Sequence, residues 1–222
     1  MKNQVIIGYV TEGTTDTRFL ENIIQRSFED VAFECRGQME ILPVQHIKKE
    51  TKSKFIDAIK QCAQQARKIG VTILCIHVDA DNRSDKIVFE RKINPVFQEC
   101  SRLSGEAYCN NLVAIVPIQM TEAWMLADTA LLKDEIGTDK GDTELGIHRN
   151  VEDYKDPKEA IKTAIRIARQ ELTKRRRHKL KIDELYSQIG QKIDLNALGN
   201  VSSYKKFQNA IRIAYRELNF LN

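Results

Sequence analysis

The sequence predicts an α/β fold, in which a mostly parallel sheet is flanked by helices and followed by a C-terminal helical extension. Strand-like and helix-like segments alternate over the first 133 residues, a pattern typical of parallel sheets with helices on both faces. The strand-like segments are nearly continuous apolar runs, as in strands buried on both faces. We therefore predict an α/β domain over 1–133 and, over 134–222, an acidic loop followed by a basic helical extension.

Four segments of the predicted domain have the composition of strands. They are 4–10, 39–47, 71–78 and 111–118. Pro43 suits an edge strand or a strand end. Apolar residues at helical spacing predict a helix that begins at Thr14 or Thr15, and others over 51–69, 86–103 and 121–133. The same spacing predicts helices of the extension at about 157–174, 182–190 and 203–219.

The composition is that of a globular protein, with 42% hydrophobic and 30% charged residues. The apolar runs are shorter than a membrane-spanning helix requires, and no signal-peptide pattern follows the N-terminal segment. The five cysteines are odd in number and include no C-x-x-C pair, which favours reduced thiols over zinc ligands or disulfides. We therefore expect a cytoplasmic protein without membrane contact.

Positive charge is concentrated in one segment of the predicted extension. The net charge of the chain is +4, and residues 155–181 hold eleven Lys or Arg against three Asp or Glu. This asymmetry favours an anionic partner, most often nucleic acid, although a solvated helix face is the alternative. The residues expected to hold a phosphate backbone without reading bases are Lys174, Arg175, Arg176, Arg177, Lys179 and Lys181.

Carboxylates follow three of the predicted strands at the points where those strands end. They are Glu12 and Asp16 after the first strand, Asp79 and Asp81 after the third, and Glu122 after the fourth. Ligand sites in parallel sheets form beyond the carboxyl ends of the strands, so we expect these groups to share one edge. Their mutual repulsion favours a bound divalent cation, and oxygen ligands suit Mg²⁺ or Mn²⁺. On an extended segment, Asp79 and Asp81 would point to the same side and could grip one ion.

Each carboxylate also has a purely structural interpretation. Asp16 and Glu122 fall in the first turn of a predicted helix, where negative charge complements the helix dipole. Asp79 and Asp81 could be turn formers after a strand. His77 lies on the same predicted strand face as Asp79 and is expected to be a packed or supporting residue. The combination of acidic pairs at two strand ends favours the metal site.

These motifs resemble the TOPRIM family, whose pattern is a glutamate after the first strand and an Asp-x-Asp after a later strand. Glu12 with Gly13, and Asp79 with Asp81, match that pattern. The spacing in EGTTD (12–16) resembles OLD-type nucleases, and TEAWMLAD (121–128) resembles small stand-alone TOPRIM-like proteins of bacterial mobile and defence regions. The resemblance covers about residues 4–130 and implies a TOPRIM-like parallel sheet.

The resemblance implies a nuclease that hydrolyses phosphodiester bonds with Mg²⁺ or Mn²⁺, with DNA as the expected substrate and anti-phage defence as the expected role. It implies that Glu12, Asp79 and Asp81 are catalytic and bind one ion. It also implies that Asp16 and Glu122 support a second ion. The chain contains neither common nucleotide-binding loop, so an ATPase activity would need a separate ABC-type or OLD-type subunit as partner. An oligomer is compatible with this interpretation.

Two other interpretations remain open. ILCIHVDAD (73–81) resembles the strand and D-x-D opening of haloacid-dehalogenase-like phosphatases, but it falls on a later strand and continues with Asn82 and Arg83. Alternatively, the chain is a non-catalytic TOPRIM-like module that binds nucleic acid or a partner protein. The five carboxylates argue against that alternative, because a binding module has no need to collect acidic groups near DNA.

Overall fold

The computed structural model describes residues 3–50, 53–103, 107–173 and 180–222, and it confirms the predicted α/β class. The strands are β1 (Asn3–Val5), β2 (Ile7–Val10), β3 (Met39–Ile41), β4 (Gln45–His46), β5 (Ile73–His77) and β6 (Leu112–Ile115). A four-stranded sheet has the order β4-β2-β5-β6, and β1 pairs with β3 in a second, two-stranded sheet. All of these pairings are parallel, as predicted.

Helices flank the sheet and form most of the C-terminal half. They are α1 (Thr14–Ala32), α2 (Phe55–Lys68), α3 (Lys86–Val88), α4 (Asn94–Arg102), α5 (Glu122–Met125), α6 (Thr129–Ile136), α7 (Asp142–Leu145), α8 (Pro157–Ala168), α9 (Leu185–Lys192), α10 (Leu195–Leu198) and α11 (Ser202–Glu217). A π-helical segment, Phe89–Ile93, joins α3 to α4. Within the described ranges, none of these helices is both long and apolar enough to cross a lipid bilayer.

Several predicted elements are shorter or divided in the structure. The predicted strand 4–10 is interrupted at Ile6, and the strand 39–47 is divided into β3 and β4 around Pro43, which cannot donate a ladder hydrogen bond. The helix predicted over 121–133 breaks after α5, because the Asp128 side chain accepts a hydrogen bond from Leu131 N and starts α6. The predicted loop 134–150 contains the short helix α7, which ends at Gly146 with a φ of 76°.

The central strands alternate their side chains between two hydrophobic clusters, one on each face of the sheet. Ile73 and Cys75 belong to a cluster with α1, α9 and α11, whereas Leu74 and Ile76 belong to a cluster with α2 and α4. This alternation is the two-residue period of an extended strand. The predicted extension therefore shares a hydrophobic core with the sheet through α9 and α11.

Helix α9 lies unusually close to α1, and a glycine permits this approach. A Cβ atom built on Gly190 would lie 2.6 Å from the carbonyl oxygen of Phe19. Arg26 of α1 donates hydrogen bonds to the carbonyl oxygens of Gly190 and Ile193. This contact fixes α9 against the helix that follows β2, and so places the extension beside the carboxyl edge of the sheet.

The parallel register brings the ends of β2, β5 and β6 to one edge. Val10 is opposite Ile76, and His77 is opposite Ile115. Backbone pairing continues past the strands, with Val78 N donating to the Ile115 carbonyl oxygen at 3.0 Å. The residues after these three strands therefore form one continuous edge, as the rule for parallel sheets predicts.

Candidate metal centre

Asp79 is held at this edge by three neighbouring donors. Its Oδ1 atom accepts hydrogen bonds from the backbone nitrogen of Thr121 at 2.9 Å and from the Thr121 hydroxyl at 3.2 Å. His77 Nε2 lies 3.1 Å from both Asp79 Oδ1 and Thr121 Oγ1. The contacts made to Asp79 all end on Oδ1, so Oδ2 is the oxygen available to a ligand. Donors that fix a carboxylate in this way are typical of the groups around metal ligands.

Asp16 reaches the same point from the first turn of α1. Its Oδ2 atom accepts a hydrogen bond at 3.0 Å from the backbone nitrogen of Gly13, the residue that precedes the helix. Asp16 is only 8% exposed. Asp16 therefore has the predicted structural position at the start of the helix. Its buried carboxylate also lies close to Asp79.

Asp16, His77 and Asp79 form a compact group of possible metal ligands. Each offers one ligand atom, and these atoms all lie within 4.8 Å of one another. The group could hold a metal ion. Carboxylate oxygens suit Mg²⁺ or Mn²⁺, whereas an imidazole nitrogen is more common around Zn, Fe or Ni. His77 Nε2 faces Asp79 and Thr121, and Nδ1 is buried without a hydrogen-bond partner among the described residues.

The pKa values of these groups reflect burial first and then the crowding of negative charge. Burial, together with the charges of Asp79 and Glu122, raises the pKa of Asp16. Burial opposes protonation of His77, but its hydrogen bond to Asp79 and the nearby carboxylate charges outweigh that effect and raise its pKa. Burial and the charge of Asp79 raise the pKa of Asp81. A bound cation would relieve this repulsion.

Glu122 lies near this group, but a lysine of the C-terminal extension balances its charge. It is 4% exposed, and its Oε1 atom is 3.1 Å from Lys158 Nζ of α8. The hydroxyl group of Tyr186 in α9 donates a hydrogen bond to the same oxygen. Burial lowers the pKa of Lys158, but hydrogen bonding to Glu122 and its charge outweigh this effect, so the net pKa is raised. The predicted metal ligand Glu122 is thus anchored in an ion pair.

Glu12 and Asp81 are exposed at the outer side of the same edge. Glu12 Oε1 is 3.6 Å from Lys92 Nζ. Asp81 has a φ of 49°, in the left-handed region, so the assumption of an extended segment from Asp79 to Asp81 is wrong. Asp81 N donates to the Gln119 carbonyl oxygen at 2.8 Å, and Gln119 also has a positive φ. Such strained backbone beside a site is common where geometry serves function.

The structure brings together some predicted residues and adds others. Asp16 and Asp79 meet, whereas Asp81 lies outside the compact group. The sequence gives a partial indication of His77 and Thr121, because each lies within two residues of a predicted ligand. Lys158 and Tyr186 come from the distant extension, and no local pattern could assign them.

Most of the predicted nucleic-acid contacts lie outside the described residues. These are Lys174, Arg175, Arg176, Arg177 and Lys179. Lys181 is described and is exposed, directly before the short turn Ile182–Glu184. The predicted phosphate-binding role of this segment stays a prediction.

Comparison with known proteins adds no identification. No protein-family model, curated protein or solved structure matches the chain.

Proposed function

We propose that this protein is a metal-dependent nuclease whose centre lies at the carboxyl edge of the parallel sheet. The observation that carries the proposal is the group formed by Asp16, His77 and Asp79, in which two carboxylates and an imidazole converge. Asp16 is buried and Asp79 is half-buried, and two carboxylates so close together are costly without a cation. The TOPRIM resemblance of Glu12, Asp79 and Asp81 supports the same reaction class.

The ion best suited to this group is Mg²⁺ or Mn²⁺, held by Asp16 and by Asp79 Oδ2. When bound, such an ion stabilises charge on phosphate oxygens and lowers the pKa of a water molecule. Thr121 and His77 hold Asp79 in place through Oδ1. Glu12 is an exposed carboxylate at the same edge, and we assign it the uptake of the proton released by the attacking water. This role does not require Glu12 to ligate the ion.

Nucleic acid, with DNA first, is the proposed substrate. The concentration of positive charge in residues 155–181 supports an anionic polymer. A separate ABC-type or OLD-type ATPase subunit and a role in anti-phage defence follow from the resemblance alone, and both are proposals at that level.

One observation favours a non-catalytic binding module as the second candidate. Glu12 and Glu122 already form ion pairs with Lys92 and Lys158. Two of the five carboxylates therefore have a counter-charge that does not depend on a metal ion. A module that binds nucleic acid or a partner protein would need only these ion pairs to balance the charges of Glu12 and Glu122.

A plasmid-nicking assay with Mg²⁺ or Mn²⁺ separates the two candidates. We expect metal-dependent cleavage by the wild-type protein that is lost in Asp79→Asn. The matched control is Asp30→Asn, which changes an exposed aspartate near the opposite end of α1. Equal cleavage by all three proteins would place the activity elsewhere and refute the assignment. Metal binding without cleavage in a range of single-stranded and duplex substrates would favour the binding module.

A further inference from the structure

An aromatic ring and two lysines lie beside Glu12, outside the metal-binding group. Phe55, the first residue of α2, is partly exposed. The ammonium groups of Lys49 and Lys92 lie 5.6 Å and 5.7 Å from the centroid of its ring. Lys92 Nζ is also 3.6 Å from Glu12 Oε1. One ammonium group thus links the ring to the edge that carries the candidate centre.

The fold explains why these three residues converge. Strand β4 pairs with β2 and ends at His46, so Lys49 follows the carboxyl end of an edge strand, and Phe55 begins the next helix, α2. Lys92 lies on the π-helical segment Phe89–Ile93, which packs with Phe55 into the same hydrophobic cluster. A π-helical turn adds a residue to the helix and rotates the side chains after it, and such turns are frequent at functional sites.

The chemistry of this cluster matches a single-stranded nucleic acid. Proteins that bind single strands combine aromatic side chains, on which bases stack, with cations that hold the flanking phosphates. Base pairs inside a duplex are already stacked on both faces, so a ring at the protein surface can take only an unpaired base. The two ammonium groups lie over the ring before a ligand arrives, so a stacking base would displace them from the ring towards its phosphates.

We propose that Phe55, Lys49 and Lys92 form a stacking platform for an unpaired nucleotide of a single-stranded nucleic acid. The base stacks on Phe55, the two lysines hold its phosphates, and the chain continues past Glu12 to the metal-binding group. The direction of the strand rests on the proposed nuclease function, whereas the platform itself does not. The platform differs from the predicted role of residues 174–181, which would hold the backbone without contacting bases.

The competing interpretation is that Phe55 only covers the hydrophobic cluster beneath α2. Its ring does pack against that cluster. Phe55→Leu tests the difference, because leucine keeps an apolar contact and removes the aromatic face. The matched control is Phe33→Leu. Phe33 is 90% exposed and follows the far end of α1, about 28 Å along the helix from the carboxyl edge.

Fluorescence anisotropy with labelled oligonucleotides measures the platform directly. The probes are a twelve-residue oligothymidylate, oligouridylate of the same length, an abasic backbone of the same length, and a duplex. EDTA keeps the probes intact whether or not the protein is a nuclease, so the result is independent of the plasmid assay. Phe55→Leu should weaken oligothymidylate binding by roughly five- to 150-fold, as expected for one stacked base. Binding of the abasic backbone should change less than about twofold, because the backbone has no base to stack.

The lysines have a different signature. Lys49→Met and Lys92→Met should weaken binding of both oligothymidylate and the abasic backbone. Each should also reduce the slope of log affinity against log salt by about 0.7, the value for one phosphate contact on a single strand. Comparison of oligothymidylate with oligouridylate shows whether DNA or RNA is the preferred strand.

The proposal fails if Phe55→Leu binds oligothymidylate like the wild type, or if it weakens the abasic backbone equally. It also fails if the duplex shows the same dependence on Phe55, or if the wild-type protein binds none of the single strands. If Phe55→Leu does not fold, Phe55→Trp takes its place. This variant keeps a stacking face, and its fluorescence should be quenched by oligothymidylate but not by the abasic backbone. Unchanged fluorescence would refute the proposed stacking of a base at position 55.

Discussion

Replacing Lys158 by methionine tests whether the C-terminal extension is anchored to the carboxyl edge through Glu122. Glu122 has a side chain that is 5% exposed, and Lys158 Nζ lies 3.1 Å from its Oε1 atom. Removing one partner of a fully buried ion pair costs about 3–5 kcal/mol. Lys158 is 36% exposed, so solvent screens part of the interaction, and Tyr186 still donates a hydrogen bond to the carboxylate. We therefore expect Lys158→Met to lower the free energy of unfolding by about 2 kcal/mol.

A double-mutant cycle with Glu122→Gln isolates the ion pair from other effects. Glutamine keeps an oxygen that can accept the Tyr186 hydrogen bond, but it carries no charge that needs Lys158. The two substitutions together should cost at least about 1 kcal/mol less than the sum of the single costs. Urea denaturation measures each protein, and the melting temperature of Lys158→Met should fall by about 4–8 °C.

A surface pair on the same helix provides the control. Lys162 pairs with Glu159 at 3.5 Å, and both side chains are largely exposed. Lys162→Met should change stability by less than about 0.5 kcal/mol. If Lys158→Met behaves like this control, or if its cost adds fully to that of Glu122→Gln, the ion pair does not anchor the extension.

Three further predictions concern packing, metal binding and pH. Gly190→Ala should lower the free energy of unfolding by about 2 kcal/mol in urea denaturation, because its new methyl group meets the Phe19 carbonyl oxygen. Mn²⁺ at one hundred times its dissociation constant should stabilise the wild-type protein by about 2.7 kcal/mol in thermal denaturation, reversibly with EDTA, but not Asp79→Asn. The raised pKa of Asp16 means that its contribution to metal-free stability is present below its unfolded pKa, near 3.8, and is lost as pH rises through the folded value. Asp16→Asn should remove this loss, which melting curves in EDTA across that pH range would detect.

Each of these predictions has an outcome that contradicts it. An unchanged urea midpoint for Gly190→Ala would mean that α1 and α9 are not in close contact. Equal Mn²⁺ stabilisation of the wild type and Asp79→Asn would place the ion elsewhere. A metal-free Asp16→Asn protein that keeps the wild-type dependence of stability on pH would mean that another group is responsible for it.

The fold and the position of the candidate site were largely predictable, because both follow from strand order along the chain. Apolar runs alternating with helical patterns predict parallel strands, and parallel strands end at a common edge. Asp16 and Asp79 therefore come together as the sequence suggests, although they are separated by 63 positions in the chain. The assumption about Asp81 failed for a local reason. Its left-handed backbone, paired with Gln119, ends the two-residue alternation on which the prediction relied.

The contacts made by the extension could not be predicted in the same way. Lys158 lies in a segment where positive charge is frequent, and nothing in its neighbourhood marks it as the partner of Glu122. Its role depends on how α8 and α9 pack against the sheet, and the contact between Gly190 and Phe19 contributes to that packing. The contacts of Lys92 could not be predicted either, because the direction of its side chain depends on a π-helical turn that helical spacing does not reveal.

The counter-charges at the carboxyl edge indicate where a cation would bind. Glu122 is paired with Lys158, and Glu12 with Lys92, so these two carboxylates have a permanent positive partner. Among the described residues, Asp79 pairs with His77, whose charge depends on its protonation. The inner group of Asp16 and Asp79 is therefore the place where a divalent ion relieves the most repulsion. An ion bound there would leave both of these ion pairs in place.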